Sequence, residues 1–127
     1  MDISTLIPVE RIIEIKHPVK DENLGIRVNI ISLNDEKMKQ IRRKFINKRI
    51  ELEKKGKSFR ADDIENNEID LLVACITGWD WYGEDVTFNG SKPDFNEANV
   101  RNVLNTFGWF KDQISEAVGD EKAFFQS

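Results

Sequence analysis

The chain has 127 residues, of which 39% are hydrophobic and 33% charged, and its formal net charge is −4. This length suits one domain with one core, here residues 1–127, and the composition excludes a wholly disordered chain. No run approaches the roughly eighteen apolar residues of a membrane span, and the amino terminus lacks the basic start and apolar run of a signal peptide. We therefore expect no membrane association and a cytoplasmic location.

The charge is unevenly distributed along the chain. Residues 1–61 contain fifteen Lys/Arg and nine Asp/Glu, whereas residues 62–127 contain four and fourteen. This asymmetry is compatible with docking within the chain, with head-to-tail self-association into a homo-oligomer, or with a complementary partner. The sign of the charge does not choose among these three.

The first region, residues 1–33, is predicted to form a β-hairpin. Arg11 to Ile15 and the run GIRVNII from Gly25 are rich in β-branched residues, and the segment HPVKDENLG between them carries turn residues. A helical body is expected over 34–127, which makes the fold α+β, mainly α, with four or five helices around one core.

The first helix is predicted from Asp35 to Lys55, with Ser, Asn or Asp of SLND as its cap. The apolar spacing predicts a core-facing stripe that two further isoleucines widen. The stripe consists of Met38, Ile41, Phe45 and Leu52, widened by Ile46 and Ile50.

A second helix is predicted to start at Asp62-Asp63-Ile64-Glu65, where acidic side chains can accept the free amides of a first turn. Its apolar positions are Ile69, Leu72, Val73 and Ile76, and Gly78 is expected to end it with a positive φ. Trp79 is then expected to pack back on the last turn. An aromatic-rich irregular loop or small hairpin is expected over 79–95, because this segment contains two Gly, a Pro and an Asn-Gly pair.

The remaining helices are marked by a cap and a break. Asn96 is placed to cap a third helix, and Phe107-Gly108 interrupts the helical pattern. A fourth helix should follow, and a short EKAFF turn ends the chain. The predicted apolar side of the fourth helix consists of Phe110, Ile114, Ala117 and Val118.

Motifs for catalysis or for cofactor binding are not found in the sequence. Neither of the glycine-rich phosphate-binding patterns occurs, no His/Cys cluster has zinc spacing, and the acidic clusters lack the alternation of a calcium loop. Cys75 lies in the apolar run LLVACI, and the single histidine, His17, precedes Pro18 in an expected loop. We therefore expect no enzyme activity, no catalytic Cys/His pair, no cofactor and no metal.

The basic helix over 37–57 raises the alternative of nucleic-acid binding. Arg42, Arg43, Lys44, Lys48 and Arg49 could contact phosphates. A solvated helix face needs charges in any case, and a sequence pI of about 5.1 disfavours general affinity for polyanions.

The order of elements resembles the tail assembly chaperones of long-tailed (siphovirus-type) bacteriophages and prophages. The resemblance spans nearly the whole chain and lies in IRVNIISLNDEKMKQIRRKFINKRIELEKKG, in LLVACITGWDW, and in FNEANVRNVLNTFGWFKDQISEAVGDEKAFF. Its most specific parts are the Gly78-Trp79 junction, the helix entry at 95–99 and the closing Trp109/Gln113/Ile114/Ala117/Phe124 pattern.

The resemblance implies a non-enzymatic factor that binds the long, helical tape-measure protein, and in some cases tail-tube subunits, until the tail polymerises. Such a factor is absent from the mature virion. A holding chaperone needs exposed apolar patches rimmed by charge. We accordingly expect a partner-binding site made of Trp81, Phe88, Trp109, Phe110, Phe124 and Phe125, with Arg42, Arg43 and Lys48 for acidic client segments. A structural head-tail connector or tail-terminator protein is the competing class, and a nucleic-acid-binding regulator is the second alternative.

Overall fold

The structure, a computed structural model, describes residues 2–56 and 61–125, and it describes side chains in the second range from residue 65 onward. The strands are β1 (Arg11–Lys16), β2 (Asn23–Ile30) and β3 (Ile76–Trp81), and the helices are α1 (Glu36–Lys54), α2 (Ala61–Cys75), α3 (Glu97–Thr106) and α4 (Gly108–Gly119). Short 3-10 turns lie at Ile3–Thr5 and Glu121–Phe124. The predicted α+β fold with an amino-terminal hairpin and four helices is confirmed, and a third strand is added to it.

The three strands form one antiparallel sheet in the order β1-β2-β3. Alternation along β2 turns Ile26, Val28 and Ile30 towards the core and leaves Arg27 in solvent. The hairpin turn is closed by His17, whose Nδ1 accepts from the backbone amides of Val19 and Lys20 at 3.1 Å each.

The predicted end of the second helix is wrong. α2 stops at Cys75, and the next six residues form β3, in which Gly78 has no positive φ and lies opposite Asn29 of β2. The run ITGWDW is rich in β-branched and aromatic residues, and its Trp79 and Trp81 pair with Val28 and Ile26. Pairing with β2 therefore overrides the helical spacing, and the aromatic loop begins after Trp81 rather than at residue 79. Within that loop Phe88 and Ser91 bridge around Asn89-Gly90, as a small hairpin.

Helix α1 begins where predicted, since the Asp35 side chain accepts from the Lys37 amide at 3.0 Å. Its packing differs from the predicted stripe. Met38 is buried and Ile41 packs against the core, but Ile46 and Ile50 are exposed. The capping arrangement predicted at Asp62 and Asp63 lies outside the described side chains.

Helices α3 and α4 follow the predicted cap and break. The Asn96 side chain accepts from the Asn99 amide at 2.8 Å, and the helices are separated at Phe107. Both bury one face, and their buried residues join those of the sheet and of α2 in one cluster. The buried positions of the two helices are Val100, Val103, Leu104, Phe110, Ile114 and Val118. In the part of the chain that the structure describes, no helix is both long and apolar enough for a transmembrane segment.

Candidate protein-binding surface

Three of the six aromatic residues predicted to bind a partner are buried in the core. Trp81 lies on the core side of β3, Phe110 on the inner face of α4, and Phe124 in the last 3-10 turn, where the Arg11 guanidinium lies 5.3 Å from its ring centre. The fold therefore buries these three rings, and their assignment to a binding surface stays a prediction. A small core needs large side chains, and aromatic rings supply much of its buried surface area.

Two more of the predicted rings, Phe88 and Trp109, are half-buried. Phe107 joins them, with ring centres 5.4 Å from Phe88 and 5.5 Å from Trp109. All three pack against the core cluster. Phe125 is the one predicted aromatic in the exposed class, with 37% of its surface in solvent. The predicted aromatic site is thus not one continuous surface.

The predicted basic residues, Arg42, Arg43 and Lys48, are all exposed on α1. Arg42 Nη1 donates to Asn34 Oδ1 at 2.9 Å, which holds it near the start of the helix. Arg43 and Lys48 make no ion pair with any residue that the structure describes. The basic side of the predicted site is therefore available to solvent.

Exposed aliphatic side chains lie beside these cations. Ile46 and Ile50 are 58% and 45% exposed, and they stand one helical turn apart. On a helix with about 100° per residue, Arg42, Ile46, Ile50 and Lys54 follow one another along a single i, i+4 row. This row lies roughly 130° around the helix from the stripe of Met38, Ile41 and Phe45. We refer to Arg42, Ile46, Ile50 and Lys54 as the α1 patch.

The two halves of α1 differ in their described contacts with the core. Met38 and Ile41 join the core cluster, whereas Phe45 and Leu52 are half-buried and do not join it among the residues whose side chains the structure describes. The described packing of the helix on the core therefore lies in its first turns. A helix that carries apolar residues without burying them is a candidate for burial against a partner.

A second exposed apolar region precedes the sheet. Ile3, Leu6 and Ile7 are exposed in the segment 2–10, which the backbone amide of Val9 ties to the carbonyl oxygen of Phe124 at 2.7 Å. Ile12 is exposed on the face of β1 that the helices do not cover. We refer to residues 2–10 as the N-terminal arm. Its exposed apolar surface is separate in sequence from the α1 patch.

A groove of about 580 Å³ lies where α1, α2 and α3 meet. Its apolar wall includes Ile41, Val73 and the exposed ring of Phe95. Its charged rim is satisfied internally, because Arg101 pairs with both Asp70 and Glu97, and these pairs raise the pKa of the Arg101 guanidinium. The groove can accept apolar groups but offers few free polar ones.

A groove of about 520 Å³ runs beside the edge strand β1. The Gln113 amide closes one end of that edge, since it accepts from the Lys16 amide at 2.8 Å and donates to the Lys16 carbonyl at 2.9 Å. The Gln113 side chain, which comes from α4, thus occupies the position where a further strand would hydrogen-bond to β1. Groups of both charge signs line this groove.

The reactive side chains do not converge. Cys75 is fully buried, and burial, followed by the charge of Asp35, raises the pKa of its thiol to about 12. It adjoins Ile76, which pairs with Ile30, while His17 adjoins Lys16, which pairs with Asn23. These are opposite ends of β2, about 20 Å apart. Within the described ranges, no group of three His, Cys, Asp or Glu could hold a metal ion.

The aliphatic residues of the α1 patch and the N-terminal arm were not in the predicted site. A helical projection could have found the patch, because Ile46 and Ile50 lie off the stripe that begins at Met38 and are bracketed by cations. In the sequence the arm is the apolar segment ISTLIPV, whose composition is equally typical of a buried edge strand.

Comparison of the chain with protein-family models, with curated proteins and with solved structures gave no match.

Proposed function

We propose that the protein is a non-enzymatic tail assembly chaperone that binds the tape-measure protein, and tail-tube subunits as further clients, and keeps its client soluble before the tail polymerises. The proposal rests on the resemblance of the element order and motifs, among them LLVACITGWDW and the helix entry at Asn96. In this proposal the protein acts in the cytoplasm of the bacterial host and is absent from the mature virion. It requires no cofactor.

The observation that carries the proposal is exposed aliphatic surface next to exposed cations along one row of helix α1. Ile46 and Ile50 lie in solvent between Arg42 and Lys54. An aggregation-prone helical client has apolar stripes that must be covered reversibly, and a small apolar patch with a charged border supports this type of contact. The protonated, buried thiol of Cys75 supports a role without covalent chemistry.

Co-expression with the tape-measure protein tests the proposal. The client is the product of a neighbouring, very long open reading frame of helical pattern, expressed with and without this chain. We expect the soluble fraction of the client to depend on this chain and the two to co-purify. A client equally soluble in both cultures contradicts the proposal.

The structural alternative, a head-tail connector or tail terminator, is distinguished from a chaperone by whether the protein is present in the finished particle. A chaperone is missing from purified particles, whereas a connector or terminator is present in them in stoichiometric amounts. Detection of this chain in finished particles would therefore favour the structural class.

The exposed cations of α1 also favour a second candidate, a small nucleic-acid-binding regulator. Phosphate contacts through Arg43 and Lys48 would give binding that weakens steeply with added salt. A titration of duplex DNA at two salt concentrations tests this candidate, and absence of binding at low salt eliminates it.

A further inference from the structure

The α1 patch combines a short apolar row with a surplus of positive charge. Helix α1 carries eight Lys/Arg and three Glu, which leaves eleven Lys/Arg and twenty Asp/Glu on the rest of the chain. Two of its cations are neutralised locally, Lys39 by Glu36 and Arg49 by Glu53. Among the described residues, Arg43 and Lys54 have no ion-pair partner, and both adjoin the exposed isoleucines on the helix surface.

The charge of the patch limits what can cover it. A second copy that docked through its own α1 would place one positive helix against another. The acidic body of a second copy, with eleven Lys/Arg and twenty Asp/Glu outside α1, has the complementary sign, so the sedimentation experiment below separates that occupant from the client. A nucleic-acid duplex would satisfy the cations but leave Ile46 and Ile50 in water.

We propose that the α1 patch binds an amphipathic helix of the client whose apolar stripe is bordered by Asp and Glu. Ile46 and Ile50 pack into the stripe, and Arg42, Arg43 and Lys54 face the acidic border. This inference rests on the proposed function, and it adds the surface used and the chemistry of the segment bound. Helix-in-groove recognition uses the same combination of i, i+4 anchors and a charged rim.

Binding of designed peptides to the full chain tests the chemistry. The probe is a fluorescent helical peptide with Leu and Ile at i, i+3, i+4 and i+7 and Glu on both borders, and the comparison peptide carries Lys in place of every Glu. Anisotropy titrations at low salt should give at least about tenfold tighter binding of the Glu-bordered peptide. Equal affinity for the two peptides overturns the proposed recognition of an acidic border.

Two variants test the surface, each with a matched control. The double substitution Ile46→Asp and Ile50→Asp should weaken binding of the Glu-bordered peptide by about tenfold or more, because its anchors are lost. Arg43→Glu should weaken the same complex and reduce its salt dependence. The controls are Val19→Asp and Lys20→Glu in the hairpin turn, where Val19 is 86% exposed. Circular dichroism of all four variants establishes that the fold is retained.

The outcomes separate this inference from the proposed function. If the client is kept soluble equally well by the wild type and by the Ile46/Ile50 double variant, the chaperone function stands and the α1 patch is not the site. If the client stays insoluble while the Glu-bordered peptide binds at the patch, the patch stands and the chaperone function fails. Binding of duplex DNA that the double variant retains, or dimerisation in sedimentation that it abolishes, assigns the patch to another occupant and overturns the inference.

Discussion

Two glycines set how closely the segment after β3 crosses the sheet. Gly25 has a φ of +88°, and the amide of Gly83 donates to its carbonyl oxygen at 2.9 Å. A Cβ on Gly25 would lie 2.6 Å from the Gly83 Cα. Lys92 holds the same turn from the other side, because its ammonium donates to the carbonyl oxygens of Trp81, Gly83 and Val86. The loop that leaves β3 is therefore fixed by backbone contacts.

Substitution of Gly25 by alanine should cost more stability than the same change at Gly90. Both residues have nearly the same positive φ, +88° and +85°. Because an alanine is strained in this left-handed conformation, each variant should lose about 1–2 kcal/mol of the free energy of unfolding. Only Gly25 meets backbone atoms, whereas Gly90 has open space around it. We expect Gly25→Ala to lose roughly a further 1–3 kcal/mol in urea unfolding, as other overpacked sites do. Equal losses would contradict the close crossing.

Replacement of Tyr82 by phenylalanine should raise the pKa of Glu14. The Tyr82 hydroxyl donates to Glu14 Oε2 at 2.7 Å and Arg27 Nε donates to Oε1 at 2.9 Å, and these bonds hold the pKa of Glu14 below its ordinary value of 4.5. A carboxyl with a lowered folded-state pKa stabilises the fold above its unfolded pKa, and this stabilisation is lost as pH falls through the folded value. The stability difference between wild type and variant should therefore shrink below about pH 4.

An NMR titration of the Glu14 side-chain carbonyl measures that pKa directly. Phenylalanine keeps the ring that lies 4.3 Å from the Arg27 guanidinium carbon, so the variant removes only the hydroxyl bond. An unchanged pKa of Glu14 would show that Arg27 alone lowers it.

At the scale of elements, local rules predicted the helix boundaries closely except for the end of α2. Asp35 and Asn96 cap α1 and α3 as their residue types predict, because a cap is a bond between neighbours in sequence. The end of α2 depends on pairing of ITGWDW with β2, about fifty residues earlier in the chain. Periodicity in a short apolar run does not separate a buried helix from a strand, and Gly78 suits both.

The two halves of α1 should differ in hydrogen exchange. Amides in the turns near Met38 and Ile41 are held by the core, whereas the turns near Lys54 contribute no residue to the core cluster among the described side chains. We expect about tenfold lower protection in the last two turns of α1 than in its second turn. Helix α4 is the control, because Val118 near its end is buried and its protection should continue to that residue. Uniform protection along α1 would contradict this expected difference between its two halves.

At the scale of the whole molecule, the sequence predicted the fold class but not which apolar residues stay outside. The expectation of an aromatic binding surface comes from the resemblance to holding chaperones, which need exposed apolar patches. In the fold, Trp81 and Phe124 are taken up by one core, and the exposed residues are aliphatics such as Ile46 and Ile7. Residue type alone does not determine this division, since it depends on how much core volume the sheet and helices enclose.

Cys75 should report on global unfolding. It is fully buried, its carbonyl oxygen accepts from the Ile31 amide at 2.9 Å, and burial raises the pKa of its thiol to about 12. Labelling requires an accessible thiolate, so the native thiol should react at least about a thousandfold more slowly than in urea. Gly25→Ala should accelerate native labelling about tenfold for each ~1.4 kcal/mol of stability that it loses, because α2 and the sheet must separate before reagent enters. Prompt labelling of the native wild type would instead indicate a local opening at the α2–β3 junction.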